Sequence, residues 1–556
     1  MQLSTSFPLI LLSLLAAILL SCGGGDDATM CSVTQDAEAG TTRIECPDGT
    51  SANVPHAQDG LSCFLDEDDA GETVMLCENG DSTPIRDGHD GIDGESCSLH
   101  DNEDGTYTVV CPDGQETTLT EETPISCMDG GLLLSVRDDG RPVCSLISVM
   151  EVTAGREHSC GILEDGSVWC WGTDGYGALG NGQDTWTTVP GGVQVTIDDG
   201  GLDGGPLTDV VKIAAGQYHT CAIRDDGTVW CWGKGSSGQL GDGNATDTPR
   251  AVQVVYMNDQ AMAGATSIAA GRRHSCASLE NGTAWCWGWT HVVGDGGTDP
   301  APKAVNVIKA EDATQLGGVA SVTGGYEHSC AVLNDGTARC WGFDGYGQLG
   351  QGETMMSAAL AAVVVYASAT EPLSGIQSMA AGERHTCAVL LDGSVRCWGS
   401  ASYGVLGNGA LSGNVLTPVE VRIDVSGADG GPLAGVVSVS SGASGSSNHN
   451  CAHLGDGTAW CWGRGTSGQL GNGNTSNVGR AVQVIWDDRG SDGPTLKGVT
   501  SIAAGHEYSC AVTQGGRAWC WGRGSEGQLG DGVLEVSYSV PRAKQVTRYV
   551  SEQGPE

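Results

Sequence analysis

The chain has 556 residues, 39% of them hydrophobic and 17% charged, enough for one large domain and a smaller one with a real core. A formal net charge of -42 excludes a sequence-independent grip on nucleic acid, because phosphate binding needs clustered Lys and Arg to displace counterions, and it excludes direct attraction to anionic lipid. The 88 glycines, 15 tryptophans and only 3 phenylalanines imply many tight turns and one large aromatic used repeatedly at equivalent places, the composition of a repeat protein.

Residues 1–21 read as an export signal. The apolar run from Leu9 to Leu20 is too short to cross a bilayer as a mature helix, and it breaks at Leu19-Leu20-Ser21-Cys22. That tetrapeptide resembles the bacterial lipoprotein box, in which the signal is cut before the cysteine and the thiol is acylated. The resemblance implies lipidation at Cys22, although Met1 to Ser6 holds no Lys or Arg; a plain secretory signal with an incidental cysteine is the alternative. Residues 22–30, beginning Cys22-Gly23-Gly24-Gly25-Asp26-Asp27, have the composition of a flexible tether. Gly23 rather than Asp after the anchor points to the outer membrane, so the expected location is the outer membrane or cell surface, with the lipid anchor as the only membrane contact.

Of the 23 cysteines, removing Cys22 leaves an even number, and these fall into pairs. Residues 31–146 hold Cys31/Cys46, Cys63/Cys77, Cys97/Cys111 and Cys127/Cys144; three of the four units end in a turn such as Cys46-Pro47-Asp48-Gly49. Units this small need bridges in place of a core, which predicts a stalk of disulfide-stapled hairpins. The glycines of Gly88-His89-Asp90-Gly91-Ile92-Asp93-Gly94 are too few for a collagen helix and suit a flexible joint.

Residues 147–548 carry seven pairs, always ten apart: Cys160/Cys170, Cys221/Cys231, Cys276/Cys286, Cys330/Cys340, Cys387/Cys397, Cys451/Cys461 and Cys510/Cys520. A glycine follows six residues after each first cysteine. A three-residue hairpin loop ending in left-handed Gly, as in Glu164-Asp165-Gly166, sets Cys160 opposite Cys170 at a non-hydrogen-bonded site, where a disulfide fits. Zinc held by His158, Cys160 and Cys170 is the competing chemistry; the absence of any C-x-x-C spacing and Tyr508 in place of the histidine in the last copy argue against it.

First cysteines recur at intervals of 61, 55, 54, 57, 64 and 59 residues, room for four short strands and their loops. Each unit runs through a small residue and Gly, then His-Ser/Thr-Cys-Ala, the hairpin, Trp-Cys-Trp-Gly, and a loop such as Gly238-Gln239-Leu240-Gly241-Asp242-Gly243. This pattern resembles the regulator of chromosome condensation repeat, in seven copies from Ile147 to about Arg548. The resemblance implies an all-β fold, a seven-bladed β-propeller preceded by the small disulfide-rich β-hairpin region, with residues 549–556 as a tail. It implies that Trp171 and its six counterparts pack between blades. His158, His219, His274, His328, His385 and His449, one per blade, are expected to be structural donors. Two copies depart from the pattern: the third has Trp289-Thr290-His291 in place of Gly-Gln-Leu-Gly, and the sixth inserts residues around Ser444 to Asn448.

No HExxH, GxSxG or GxxxxGK[ST] stands in the chain, so a non-enzymatic scaffold binding a protein or glycan is the leading expectation. Exchange-factor-like or secreted-enzyme-inhibitor activity, as the resemblance allows, and an enzyme built on non-repeated loops are the alternatives. No cofactor is expected apart from calcium at Asp/Gly segments such as Asp198 to Gly204, which lack a regular ligand spacing. Strand direction sends the first and third connections of every blade to one face and the second and fourth to the other. The first face is therefore expected to carry Arg156, Arg272, Arg273, Arg384, Lys234, Arg464 and Arg523, and the second the hairpin and crossover aspartates. Trp289, His291, Arg272, Arg273, Ser444 and Asn448 are the candidate binding residues, and clustering of the odd loops on one rim would mark a binding face.

Overall fold

A computed structural model describes residues 148–546 apart from 201, 364–370, 426, 444, 446–447, 489–490 and 532–538, together with the backbone of short strands between residues 32 and 145. The chain forms two compact units, residues 1–130 with 135–143 and residues 131–134 with 144–556.

Ahead of the repeats, the expected hairpins are only part of what forms. Three antiparallel sheets have three strands each: Ser32–Asp36, Thr41–Glu45 and Ser51–Pro55; Cys63–Glu67, Thr73–Cys77 and Ser82–Pro84; Ser98–Asp101, Thr106–Val110 and Glu116–Thr120. The fourth unit is a hairpin of Leu132–Val136 and Pro142–Ser145. In the three-stranded units the chain reverses again after the second cysteine and adds a strand that cysteine spacing alone does not announce. Cys63 stands opposite Cys77 in the register, as a bridge between them requires. Cys144 falls on the second strand of the fourth unit, Pro142–Ser145. Cys127, with Cys22, Cys31, Cys46, Cys97, Cys111 and the segment Gly88 to Gly94, lies outside the described residues.

The second unit is a ring of seven antiparallel blades. The first consists of Val149–Ala154, His158–Leu163, Val168–Thr173 and Thr188–Gln194, paired in chain order. Inner strands of the seven blades line an axial channel of about 610 Å³. Their hydroxyls tie the wall together: Thr153 Oγ1 accepts from the Ala215 amide at 2.9 Å and Ser440 Oγ from the Ala504 amide at 3.0 Å, each in the next blade round. Between second and third strands the chain turns on a glycine such as Gly166, with φ 74°, and the Asp165 carboxylate accepts from the Ser167 amide. This turn sets each cysteine opposite its partner. The bridges expected in the blades all form: Cys160–Cys170, Cys221–Cys231, Cys276–Cys286, Cys330–Cys340, Cys387–Cys397, Cys451–Cys461 and Cys510–Cys520. Their Cα atoms are 4.0–4.1 Å apart, the closeness of a non-hydrogen-bonded pair.

No blade completes its own core. The Cys160–Cys170 disulfide packs in one cluster with Trp232 of the following blade and Cys221–Cys231 with Trp287. Cys330–Cys340 packs with Trp398, Cys387–Cys397 with Trp462 and Cys451–Cys461 with Trp521, until Cys510–Cys520 meets Trp171 and closes the ring. Buried polar groups run across the same interfaces. His385 Nε2–H donates to Asn450 Oδ1 at 2.7 Å, and Asn450 Nδ2 donates to the Val405 carbonyl. Because that oxygen can only accept, the imidazole must carry its proton on Nε2. The other five histidines make the same link to a hydroxyl, as in His274 to Ser329 at 2.7 Å and His158 to Thr220 at 2.9 Å. Where the last blade meets the first, the Tyr508 hydroxyl donates to the His158 carbonyl at 2.5 Å and accepts from Ser159. The blade tryptophans donate to carbonyls of the preceding blade, Trp287 to Gln239 O at 2.9 Å, for example.

A further tie is absent from the repeat pattern. After its outer strand each described crossover lays a residue parallel to the outer strand of the next blade: Ile197 beside Ala251, Tyr256 beside Ala304, Lys309 beside Ala361, Ile423 beside Ala481 and Trp486 beside Ala543. Three crossovers then fold back as hairpins. The segment considered for calcium is one of them, with Asp198 opposite Asp203 across Thr196–Asp199 and Leu202–Pro206.

Burial holds the six histidines neutral, pushing His158, His274 and His385 down to about 4 and His219, His328 and His449 to about 3. In the unfolded chain they titrate near 6.5. The unfolded state therefore takes up more protons as pH falls below about 6.5, and stability present above that pH is lost toward the folded values, each histidine contributing about 1.4 kcal/mol per pH unit. Burial lifts the carboxyls of Asp174 to about 7 and Asp344 to about 6, and raises Glu151, which acts in the opposite sense; three groups do not offset six. Denaturant unfolding with disulfides intact is expected to show stability falling steeply from pH 6.5 to 4. His274→Gln should flatten that slope by about one proton; an unchanged slope would contradict the assignment.

Candidate binding face

The face formed by first and third connections begins at a forced glycine. A Cβ on Gly155 would lie 2.4 Å from the His158 ring and 2.9 Å from the Gly216 carbonyl, so the residue after each inner strand is Gly. The two residues that follow stand at the channel mouth: Arg156 and Glu157, Gln217 and Tyr218, Arg272 and Arg273, Tyr326 and Glu327, Glu383 and Arg384, His506 and Glu507. Amides at the first of these positions donate to the next blade's backbone, Gln217 N to Gly271 O at 3.1 Å and His506 N to Gly155 O at 3.1 Å. The fold thus fixes the backbone of this rim while leaving its side chains free to vary.

Every cation–π contact among the described residues falls here: Arg156 on Tyr218, Lys234 on Tyr176 and Tyr218, Arg272 on Tyr326, Arg273 on Trp289, Arg384 on Tyr346, and Arg464 on Tyr403. In the first two blades the contacts merge into one cluster, in which Tyr176 meets Trp186 at 4.7 Å and Tyr218 at 5.2 Å, and Trp186 is 56% exposed. The face is less positive than its arginines suggest. Arg272 pairs with Glu327 at 2.6 Å, Arg464 and Arg523 with Glu507 at 3.0 and 3.4 Å, Arg156 with Glu157 and Arg384 with Glu383. Lys234 and Arg273 have no ion pair among the described residues.

Both odd loops open on this face. Trp289 meets the His291 ring at 6.3 Å and carries Arg273 over it at 5.7 Å. Asn448 is buried, its Nδ2 donating to Glu383 Oε2 at 2.9 Å. It anchors the insertion instead of offering itself to a ligand. Ser444 lies outside the described residues, but Gly445 in the same insertion approaches Tyr326: a Cβ there would be 3.1 Å from the Tyr326 hydroxyl. Arg272, lying over Tyr326 at 4.3 Å, joins the insertion to the Trp289 loop. Sequence reasoning named the arginines but passed over Tyr176, Tyr218, Trp186, Tyr326 and Tyr346; the available signal was the recurrence of Tyr176, Tyr346 and Tyr403 just before the equivalent glycines Gly177, Gly347 and Gly404.

The opposite face is occupied with its own turns. The carboxylates of Asp226, Asp335 and Asp456 accept from the hydroxyls of Thr228, Thr337 and Thr458, which holds them below the usual carboxylate range. Among the described residues no three His, Cys, Asp or Glu side chains gather in a way that could hold a metal.

Seven blades in a closed ring, with the described cation–π contacts gathered on one rim, define a propeller scaffold whose variable surface is separate from its repeated core. The chain belongs to the RCC1-like domain family, matching it over residues 128–489, and the Regulator of chromosome condensation (RCC1) repeat matches again at residues 499–528. The ultraviolet-B receptor UVR8 of Arabidopsis thaliana is 30% identical over 389 residues, covering 69% of this chain and 79% of that protein. Two solved structures share the fold: human WBSCR16, with a TM-score of 0.53 at 19% identity over 68% of this chain and 94% of that one, and Prp20p of Saccharomyces cerevisiae, with a TM-score of 0.51 at 18% identity over 72% and 88%.

Asp174 governs the loop that presents Trp186. Its Oδ1 accepts from the Leu179 amide, and its backbone exchanges hydrogen bonds with Trp186 and Thr187. Burial, with the Asp184 charge adding to it, lifts this carboxyl to about 7. A raised carboxyl favours the ordered loop when protonated, a contribution present at low pH and lost as pH rises through about 7. Amide exchange across residues 181–187, corrected for intrinsic rates, should accelerate between pH 6 and 8, and Asp174→Asn should remove that dependence. Equal behaviour of the two proteins would refute the role.

Proposed function

We propose that this chain is an exported scaffold that binds a protein partner through the Gly-X-X face of its propeller. The observation that carries the reading is the gathering of all described cation–π contacts on that rim, since Arg, Trp and Tyr are the residues in which protein interfaces concentrate their energy. The related propeller Prp20p, whose solved structure was reported with its binding to Gsp1p and histones, supports a protein as the class of ligand. The repeated histidines and hairpin carboxylates, residue types that catalysis often uses, are already engaged in holding blades and turns together. A glycan stacked on Trp186 or Trp289 is the competing outcome. Lys234→Glu with Arg384→Glu should abolish partner capture from envelope extracts on the immobilised chain, whereas Asp226→Lys with Asp392→Lys should leave it intact. Capture that survives the first pair and is lost with the second would move the site to the other face.

The anchor reading belongs with this one. Cys22, behind its lipoprotein-like box, would tether the scaffold to the outer membrane through lipid alone, with residues 31–146 as a stalk. Cys22→Ser is expected to shift the chain from the membrane fraction to the soluble one; a variant that still sediments with membranes after a carbonate wash would end the assignment.

A further inference from the structure

In six blades the third connection places a glycine at φ 66–85°: Gly177, Gly238, Gly347, Gly404, Gly468 and Gly527. The reason is close packing, because a Cβ on Gly177 would fall 2.4 Å from the Pro249 Cα, and one on Gly238 2.7 Å from that of Pro302. In the third blade His291 holds this position, at φ 67°. The equivalence is fixed by the next residue, Val292, whose carbonyl accepts from the Trp341 indole as that of Ala178 accepts from Trp232. The facing strand presents Ala359 there, where three other blades present Pro249, Pro302 and Pro541. A left-handed conformation is unfavourable for a residue with a Cβ, and the exposed imidazole gains no burial in return. A strained side chain that does nothing for the fold calls for another use.

Its neighbours suggest one. The imidazole stands at 87° to Trp289, whose ring carries Arg273. Arg272, one residue away, is neutralised by Glu327 at 2.6 Å, but Arg273 has no ion pair among the described residues. A guanidinium held on an indole face is pre-organised, partly desolvated and still open to a carboxylate. We propose that Arg273, Trp289 and His291 form a subsite for an aspartate- or glutamate-bearing segment of a partner polypeptide. The proposal rests on the binding-face reading above and narrows it to one blade. Arg273 supplies the charge-assisted hydrogen bonds, Trp289 orients the guanidinium and covers the partner's backbone, and His291 offers a ring N–H at the edge.

The test uses the full-length chain with its disulfides intact and, as probe, a fluorescent poly-glutamate peptide beside its glutamine counterpart. The glutamate peptide should bind and weaken with added salt, and the glutamine peptide should not. Arg273→Gln should cost about tenfold in affinity, while Arg224→Gln, beside a hairpin turn on the opposite face, should change nothing. His291→Gly supplies the separating measurement: restoring the glycine of the other blades should raise the melting temperature by about 1–2 °C and weaken peptide binding severalfold. Equal losses from Arg224→Gln and Arg273→Gln would overturn the subsite, as would a lower melting temperature for His291→Gly. A neutral oligosaccharide that competes at Trp289 without sensing Arg273→Gln would assign the site to glycan. If the immobilised chain captures a partner through Lys234 and Arg384 while poly-glutamate fails to bind, the face reading stands and this inference falls.

Discussion

A four-stranded blade of this protein cannot bury its own disulfide. Cys276 and Cys286 are covered only when Trp341 of the next blade is in place, and Trp341 finds its hydrogen-bond acceptor, the Val292 carbonyl, only in the blade before it. The dependence runs in one direction round the ring and returns to its start through Cys510–Cys520 and Trp171. A linear array of repeats leaves two terminal faces to be capped; a closed ring leaves none, but it makes every interface a condition for the others. The disulfides brace the hairpins on which this arrangement depends. Each closes a short loop, and by the chain-entropy account contributes roughly 2–3 kcal/mol chiefly by restricting the unfolded state.

The same constraint explains why histidine recurs without being catalytic. A buried imidazole left unpaired would cost as much as any orphaned polar group. The chain meets that cost at Nε2 with a short relay, Nε2–H to a hydroxyl and hydroxyl to a carbonyl, which reaches into the next blade; Ser275, for instance, accepts from His219 and donates to Gln239 O at 3.0 Å. Asn450 does the same work with an amide, and Tyr508 with a phenol. An amide in place of the hydroxyl and a phenol in place of the imidazole show that the interface requires a bridge between blades, not a particular acid or base.

How much of this is legible in sequence depends on how local the cause is. The ten-residue cysteine spacing and its turn glycine encode a hairpin within one segment, and the alternation Trp-Cys-Trp encodes which side faces which neighbour. Where that spacing is absent the pattern says less: the fourth N-terminal unit, Cys127 to Cys144, is looser, and Cys127 lies outside the described residues. The parallel straps were hidden because each is a single bridge, such as Ile197 beside Ala251, made by a crossover whose Asp and Gly residues read as loop or calcium ligand. The third strands of the N-terminal units follow their cysteines and were hidden for a similar reason. On the binding face the arginines were visible and their glutamates were not recognised as partners, because Arg272 and Glu327 lie 55 residues apart and meet only once the ring forms. The aromatics were overlooked because they recur in only some blades: Tyr176, Tyr346 and Tyr403 share one position that Ser237, Ser467 and Glu526 fill elsewhere, and on a scaffold whose fully repeated residues are committed to folding, such partial variation is the informative property.

That division also bears on how charge acts here. A chain with a net charge of -42 meets any anionic partner through a repulsive long-range field, and salt at physiological strength confines such fields to about 8 Å. Pairing of Arg156, Arg272, Arg384, Arg464 and Arg523 with glutamates removes most of what local positive potential the Gly-X-X face could project. Long-range steering therefore contributes little to recognition on that face. Selectivity must arise at contact, where the guanidiniums are already aimed by the rings beneath them and a partner's approach replaces water by fixed donors. Rigid placement of the rim by the forced glycines and the blade-to-blade backbone bonds makes this workable, since a surface that cannot attract at a distance gains most from losing little freedom on binding.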